Sequence, residues 1–196
     1  PVLEYDSQNG NLLHVRRTVD NTPVVRSFTY LQNGLLATAT DEESHTTTYS
    51  YDESGNLEAV TDALGSVQKL ARDGRGNVTS TTDGFGTAVA RTRNTTYDGL
   101  GRVASSSDGA SGVTQFFYDQ AGNLTRTLLP TGEEVVREYD SMGRLVLVRD
   151  PLRGATAFGY NDASQLVSQM DALQRTTTFE YDEAGQMRRK VDPALR

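Results

Sequence analysis

The residues that could do chemistry in this chain are few. Its 196 residues include two histidines, His14 and His45, and no cysteine. Serine and aspartate are so abundant that a Ser-His-Asp set can be drawn through either histidine, which makes such a match uninformative. Without cysteine there is no disulfide, iron–sulfur cluster or thiolate zinc site, and two histidines alone do not complete a zinc site. The sequence favours a protein that is not an enzyme and needs no cofactor or metal.

Two Asp-Pro pairs, Asp150-Pro151 and Asp192-Pro193, are the remaining candidates for bond cleavage. Each occupies a position where other segments place alanine or glycine after the aspartate, as at Asp62, Asp108 and Asp171. A cleavage site would not tolerate that variation. Proline fixes φ at the second residue of a β-turn, so we interpret both pairs as turns.

Aspartates that recur at a fixed interval suggest a second chemistry, the binding of calcium through oxygen ligands held in register. Equivalent residues two strands apart in a sheet lie about 10 Å from one another, too far to share one ion. We therefore expect each aspartate to cap its own turn. The set is Asp52, Asp98, Asp119, Asp140 and Asp182.

These aspartates belong to a repeat that organises the chain. The tyrosines at 5, 30, 51, 97, 118, 139, 160 and 181 are spaced by 25, 21, 46, 21, 21, 21 and 21 residues. The interval of 46 divides into 21 and 25 if Arg72 takes a tyrosine position. Both ends fall in mid-pattern, so we expect a piece of a longer array. The prediction is one repeat array over residues 1–196, truncated at both ends, of about nine repeats starting near 5, 30, 51, 72, 97, 118, 139, 160 and 181.

The repeat frame is Tyr-Asp-x-x-Gly-(Asn/Arg)-Leu, followed by a second aspartate at the twelfth position. Departures from it include Tyr160, which is followed by Asn161 with Ser164 in the glycine position, and Leu129-Pro130, which replaces the second aspartate. An aspartate side chain can bond the backbone two residues on, and glycine reaches positive φ without steric cost, so the motif predicts a tight turn. The predicted structural residues are Tyr51, Asp52, Gly55, Tyr97, Asp98, Gly101, Tyr118, Asp119, Gly122, Tyr139, Asp140, Gly143, Tyr160, Tyr181, Asp182 and Gly185.

Two turns in 21 residues leave room for two strands of ordinary length, which predicts an all-β chain of antiparallel hairpins in one continuous meander. Leucine, valine and phenylalanine total 42 residues and isoleucine is absent, so the sheet should be a single layer without a thick core. Open sheets beyond about ten strands usually curl, and we expect this one to curl or spiral.

Aromatic pairs should line one face of this sheet, because residues two apart on a strand share a face. Arg72 and Arg137 interrupt the resulting ladders and are expected to stack on neighbouring rings. Cross-strand aromatic contacts would stabilise every repeat. The same ladders leave open an alternative function, a cell-surface adhesion or carbohydrate-binding module. The pairs are Phe28/Tyr30, Tyr49/Tyr51, Phe116/Tyr118, Phe158/Tyr160 and Phe179/Tyr181.

Charge and hydropathy exclude other classes. The net charge is −7, with Lys69 and Lys190 as the only lysines, which argues against a nucleic-acid partner. No stretch of about 18 apolar residues is present, so no membrane-spanning helix is predicted.

The motif, clearest in residues 139–154, resembles the YD repeats of Rhs proteins, shared with the Tc-toxin cocoon and the teneurin shell. The resemblance covers residues 5–196. It implies a β-sheet strip that spirals into a hollow shell and encapsulates a C-terminal toxin or effector until delivery. It also implies two partners, the rest of the repeat chain through the sheet edges and the enclosed toxin polypeptide. The expected location is secreted or cell-surface, reached by a bacterial-type secretion route. A self-cleaving aspartyl segment usually ends such shells, and none is identifiable here.

Overall fold

The structure, a computed structural model, describes residues 1–110 and 112–193. Within these residues the regular elements are eighteen β-strands and no helix. The chain forms two compact units, the first comprising residues 1–96 and 108–110 and the second the remaining described residues. The all-β hairpin meander predicted from the repeat is confirmed. Among the described residues, no helix is long and apolar enough to cross a membrane.

In the first unit each strand pairs antiparallel with the next one along the chain. The last residue of its final strand is counted with the second unit. The strands are β1 (Val2–Tyr5), β2 (Leu12–Val19), β3 (Thr22–Tyr30), β4 (Leu36–Thr40), β5 (Thr46–Tyr51), β6 (Leu57–Thr61), β7 (Val67–Arg72), β8 (Val78–Asp83) and β9 (Arg91–Tyr97).

The second unit repeats the same arrangement, again with antiparallel pairing between consecutive strands. Its strands are β10 (Val103–Ser107), β11 (Val113–Tyr118), β12 (Leu124–Leu128), β13 (Glu134–Tyr139), β14 (Leu145–Asp150), β15 (Gly154–Tyr160), β16 (Leu166–Met170), β17 (Thr176–Tyr181) and β18 (Met187–Val191).

The Tyr-Asp-x-x-Gly segment forms a tight hairpin turn, as the turn after β5 shows. The Gly55 N–H donates to the Asp52 carbonyl at 3.0 Å, and the Asp52 N–H donates to the Asn56 carbonyl at 2.9 Å. Gly55 has a φ of +83°, the left-handed conformation that closes a type I turn into a hairpin. The carboxylate of Asp52 accepts from the backbone N–H groups of Ser54 and Asn56 at 2.9 and 2.8 Å.

A β-bulge accompanies this turn and the equivalent turns after β1, β3, β7, β11, β13, β15 and β17. Tyr51 pairs with Leu57 while Ser50 pairs with Ala59, so Glu58 is an extra residue on the second strand of the hairpin. The first strand runs without interruption through the tyrosine, and its alternate side chains therefore share one face.

The sheets have almost no interior. Of the described residues, Thr127 alone is buried, and it is 7% exposed. Strand β17 shows how the two faces differ, because Phe179 and Tyr181 are half-buried while Thr178 and Glu180 are exposed. Hydrophobic burial is therefore shallow, and side-chain hydrogen bonds must carry an unusual share of the stability.

The turn geometry makes a direct prediction for two positions of one hairpin. Gly143 has a φ of +77°, so Gly143→Val should lower the free energy of unfolding by about 1–3 kcal/mol through backbone strain. Ser141 is an exposed turn residue, and Ser141→Ala should be nearly neutral. Melting temperatures measured by circular dichroism check this pair. Equal melting temperatures for the two variants would contradict the turn assignment.

Candidate functional site at the repeat joints

The sequence-predicted residues occupy equivalent places in successive hairpins. The tyrosines end the odd-numbered strands, the aspartates open the turns that follow, and the glycines close them with φ values between +77° and +92°. The tyrosines are Tyr51, Tyr97, Tyr118, Tyr139, Tyr160 and Tyr181, the aspartates Asp52, Asp98, Asp119, Asp140 and Asp182, and the glycines Gly55, Gly101, Gly122, Gly143 and Gly185.

The tyrosine hydroxyl joins each hairpin to the strand before it. The Tyr51 hydroxyl donates to the carbonyl of Leu36, the first residue of β4, at 2.9 Å. The β4–β5 ladder runs from the pair Thr38–Thr48 to the pair Thr40–Thr46 and does not extend to Leu36. The hydroxyl therefore satisfies a carbonyl just beyond the end of the ladder. We call this bond, between a tyrosine and the first residue of the preceding even-numbered strand, the repeat joint.

The repeat joint recurs in both units with nearly constant geometry. In every case the bond is half-buried, the strand pair is antiparallel, and the hydroxyl–carbonyl distance is 2.9–3.0 Å. Besides Tyr51–Leu36, the joints are Tyr30–Leu12, Tyr118–Val103, Tyr139–Leu124, Tyr160–Leu145 and Tyr181–Leu166.

An arginine at the sixth repeat position extends the joint toward the next hairpin. The Nε of Arg144 donates to its own turn carboxylate, Asp140, at 2.7 Å, and its NH1 donates to the Asn161 carbonyl of the next turn at 3.1 Å. Its guanidinium lies over the ring of Tyr160, 4.9 Å from the centroid. One side chain thus ties two consecutive turns together by an ion pair, a hydrogen bond and a cation–π contact.

Arg102 makes the same set of contacts in the preceding part of the second unit. It pairs with Asp98 at 2.7 Å, donates to the Asp119 carbonyl at 3.3 Å and covers the Tyr118 ring at 4.5 Å. Where asparagine stands in place of arginine, its amide donates to the carboxylate of its own turn, as Asn123 does to Asp119 at 2.9 Å. The residue at the sixth position therefore decides the bonding of the turn. Asparagine bonds within its own turn, whereas arginine also bonds to the next turn.

The electrostatics of the turns favour ionised aspartate. A side-chain hydrogen bond from Asn56 is the largest influence lowering the pKa of Asp52, and Asn123 acts in the same way on the pKa of Asp119. In the arginine-containing turn, the backbone N–H of Arg144 is the main cause of the lowered pKa of Asp140. Carboxylates that accept several N–H groups stay charged, so these turns are held by charge-assisted bonds near neutral pH.

One joint departs from the pattern, because Arg72 takes the tyrosine position at the end of β7. Its NH1 donates to the Gly76 carbonyl at 3.1 Å, whereas its buried Nε has no hydrogen-bond partner. A cleft of about 420 Å³ adjoins it, lined by residues that include Leu57 and Leu70. Within the described residues, neither Arg72 nor Arg137 stacks on an aromatic ring, contrary to the expectation from the sequence. Arg137 instead donates to the Thr127 hydroxyl at 2.9 Å.

The histidines show no catalytic arrangement. The His14 Nδ1 lies 3.1 Å from the Ser27 hydroxyl, and the His45 Nδ1 lies 3.2 Å from a carboxylate oxygen of Asp41 in an exposed turn. Within the described residues, no three His, Asp or Glu side chains are grouped so as to hold a metal ion. Asp150 is the last residue of β14 and Pro151 begins the hairpin turn, as expected. Asp192-Pro193 is the end of the described chain.

Comparison with known proteins locates the same pattern elsewhere. The family model described as Teneurin YD-shell matches residues 69–194, and the model described as RHS Repeat matches residues 30–67. No curated protein matches the sequence.

Solved structures show the same fold at low sequence identity. The crystal structure of TcdB2-TccC3 aligns with a TM-score of 0.69 and 16% identity over 97% of this chain. A crystal structure of TcdB2-TccC3 without its hypervariable C-terminal region aligns with a TM-score of 0.66 and 17% identity over 98% of this chain. The structure of the Photorhabdus luminescens Tc holotoxin pore aligns with a TM-score of 0.66 and 17% identity over 96% of this chain. The chain spans 14% of the length of each of these chains.

Tyr49 and Tyr51 both lie on β5, so substitutions at the two positions distinguish the contribution of the joint hydrogen bond from that of aromatic packing. Tyr51→Phe removes the bond to Leu36 and leaves a half-buried carbonyl unpaired, which should cost about 1 kcal/mol and lower the melting temperature by about 2–4 °C. Tyr49→Phe is the matched control, since phenylalanine stands at the equivalent position in Phe28, Phe116 and Phe158. Calorimetry that finds the same loss for both variants would show that the joint bond adds nothing.

The irregular joint gives a prediction of the opposite sign. Arg72→Tyr removes a buried Nε that lacks a partner and supplies a hydroxyl for the carbonyl of Leu57, so the melting temperature should rise by about 2–4 °C. The reciprocal change, Tyr51→Arg, should lower it. Thermal unfolding of the two variants beside the parent chain measures both effects. A fall in melting temperature for Arg72→Tyr would contradict the equivalence of position 72 with the tyrosine positions.

The lowered aspartate pKa values predict that the turns lose stability in acid. Because folding lowers the pKa of Asp52, Asp73 and Asp140 below the ordinary 3.8, their contribution is complete above that value and is lost as the pH falls through the lower folded-state values. Asparagine keeps the backbone cap, as Asn161 does for the Gln165 N–H at 2.9 Å, but it does not titrate.

Between about pH 5 and pH 2.5, the melting temperature of the triple variant Asp52→Asn, Asp73→Asn, Asp140→Asn should therefore fall less than that of the parent chain. Asp162→Asn, an exposed position in another turn, is the control and should follow the parent. Parallel curves for the triple variant and the parent would contradict the assigned role of these carboxylates.

Proposed function

Because the chain belongs to the teneurin YD-shell family, we propose that it is a wall segment of a β-shell that encloses a toxin or effector polypeptide until delivery. In this proposal the segment is structural and not catalytic. Its partners are the neighbouring repeats of the parent chain and the enclosed polypeptide. The parent protein is secreted or held at a cell surface after a bacterial-type secretion step.

The observation that carries the proposal is the extendable joint. The bond from a tyrosine hydroxyl to the first carbonyl of the preceding even-numbered strand recurs at 2.9–3.0 Å in Tyr30, Tyr51, Tyr118, Tyr139, Tyr160 and Tyr181. Because each joint uses only two neighbouring strands, the same bond can connect any number of repeats into a longer wall.

The composition of the surface suits a container. The strands carry many threonine and serine side chains among their aliphatic and aromatic residues, so polar groups occur on both faces of the sheet. A wall of this kind separates its contents from solvent and proteases by excluded volume, without the strong hydrophobic adhesion that would oppose release. This also supports a role in holding a polypeptide rather than in modifying it.

An adhesion or carbohydrate-binding function spread along the aromatic ladders receives less support. The joint tyrosines use their hydroxyls on backbone carbonyls, and two of their rings are covered by the arginines Arg102 and Arg144. Phe116→Ala and Tyr118→Ala should therefore lower stability and leave glycan titrations unchanged. Saturable glycan binding that these two variants abolish would favour the adhesion function instead.

The experiment that tests the shell uses the complete product of the gene that encodes this chain. Its reading frame should contain further repeats of about 21 residues on both sides, then an unrelated C-terminal region. Limited proteolysis of the intact product should leave that region undigested, whereas the same region expressed alone should be cut rapidly. Equal digestion rates, or a frame without further repeats, would overturn the proposal.

A further inference from the structure

The cleft beside Arg72 lies between two consecutive turns of the first unit. Its walls come from the turn after β5, the first residues of β6, the last residues of β7 and the turn that follows. The volume of about 420 Å³ is within the range of small-molecule sites in proteins. Leu57 and Leu70 supply apolar surface to it, and Asn56 and Gly74 also line it. We call this space, with those residues and Arg72, the Arg72 cleft.

Two aromatic rings that other repeats carry are missing at this cleft. Arg72 stands in the tyrosine position, and Leu70 stands two residues earlier, where an aromatic residue usually precedes the tyrosine. Residues two apart on a strand share a face, and both of these line the cleft. No other repeat in the sequence lacks both rings. The aromatic residues equivalent to Leu70 are Phe28, Tyr49, Phe116, Phe158 and Phe179.

The contacts of a repeat joint are incomplete as a result. The carbonyl that would accept from a tyrosine here belongs to Leu57, and the β6–β7 ladder starts at the pair Ala59–Lys69 without including it. The guanidinium of Arg72 donates instead to the Gly76 carbonyl of its own turn at 3.1 Å. Within the described residues its buried Nε has no hydrogen-bond partner. An acceptor and a cation thus border the cleft without the phenol ring that joins them to a hairpin elsewhere.

The charges around the cleft favour a neutral ligand. Asp52, Glu58 and Asp73 all line it. Each carboxylate already has a partner, which is an asparagine of the same turn for Asp52 and Asp73 and the ammonium of Lys69 for Glu58. An anionic ligand would be repelled by these three carboxylates, whereas a cationic ligand would be repelled by the guanidinium of Arg72.

We infer that the Arg72 cleft binds a neutral para-substituted phenol, the chemistry of a tyrosine side chain. The ring packs on Leu57 and Leu70 and lies against the guanidinium of Arg72, as the Tyr118 ring lies 4.5 Å from Arg102 in the second unit. The hydroxyl donates to the Leu57 carbonyl, as the joint tyrosines do in other repeats. A phenol is uncharged near neutral pH, because its pKa is about 10. The ligand completes the missing joint from outside the chain.

The experiment titrates the full 196-residue chain and follows ¹H–¹⁵N correlation spectra. The first probe is p-cresol, which stands for a free phenol, and the second is the peptide acetyl-Gly-Tyr-Gly-amide, which presents the same group as part of a polypeptide. The matched controls are p-methylanisole and acetyl-Gly-Phe-Gly-amide. Both keep the aromatic ring and lack the O–H donor.

Two filling variants test the location of the site. Arg72→Tyr supplies the chain's own phenol, and Leu70→Phe places in the cleft the residue that other repeats carry there, so the fold accommodates both. Thr95→Phe makes the same change two residues before Tyr97, at the equivalent position of the next repeat, and is the matched control. Melting temperatures recorded in parallel verify that each variant is folded.

The expected result is saturable binding of at least one phenolic probe, with a dissociation constant of about 1 mM and amide shifts at Leu57, Leu70 and Arg72. Each control probe should bind at least about fivefold more weakly than its phenolic counterpart. Arg72→Tyr and Leu70→Phe should weaken binding by at least about tenfold, and Thr95→Phe should leave it unchanged.

The two phenolic probes distinguish the source of the ligand. Binding of p-cresol alone assigns the cleft to a free phenol, whereas binding of the tyrosyl peptide assigns it to a tyrosine of a polypeptide. Failure of both probes to saturate the chain would overturn the proposal. Equal affinity for p-cresol and p-methylanisole, or undiminished binding by Arg72→Tyr, would also overturn it, because the hydroxyl or the cleft would then have no part in recognition.

Discussion

A tyrosine hydroxyl that donates to a backbone carbonyl fifteen residues earlier is the interaction on which this structure depends. A one-layer sheet lacks the buried apolar core that ordinarily holds strands together. Its strand ladders stop short at one end of every second pair, and a carbonyl there would have to be left to solvent or to a side chain. The repeat joint fills that position with a half-buried ring, which adds packing to the hydrogen bond.

Because each joint involves only neighbouring strands, stability should be close to a sum of local contributions, as in other linear repeat proteins. The contributions differ from repeat to repeat. Arginine at the sixth position connects consecutive turns, asparagine restricts the bonding to its own turn, and Arg72 leaves a nitrogen without a partner. A wall built in this way can be lengthened without altering any existing contact, which is the property that a shell requires.

The sequence predicted the strands and turns because period and turn chemistry are local. The order of Tyr51, Asp52 and Gly55 is enough to predict a hairpin. The partner of the tyrosine hydroxyl was not predictable, since Leu36 becomes its neighbour only after the antiparallel register and the bulge at Glu58 are fixed. Stacking was predicted for Arg72 and Arg137, which interrupt the aromatic ladder, yet it occurs at Arg102, Arg126 and Arg144. For Arg102 and Arg144 the available signal was arginine, in place of asparagine, after the turn glycine, and it has meaning only when adjacent turns are seen together.

Hydrogen–deuterium exchange of the parent chain, resolved by residue, tests the account most directly. If tyrosine joints hold the sheet, the amides of β6 and β7 beside Arg72 should exchange about fivefold to tenfold faster than those of β4 and β5 beside Tyr51, the difference expected from one lost hydrogen bond. Both strand pairs have comparable length and exposure, so they form a matched comparison within the first unit. Equal exchange in the two pairs, or slower exchange beside Arg72, would contradict the central role of the tyrosine joint.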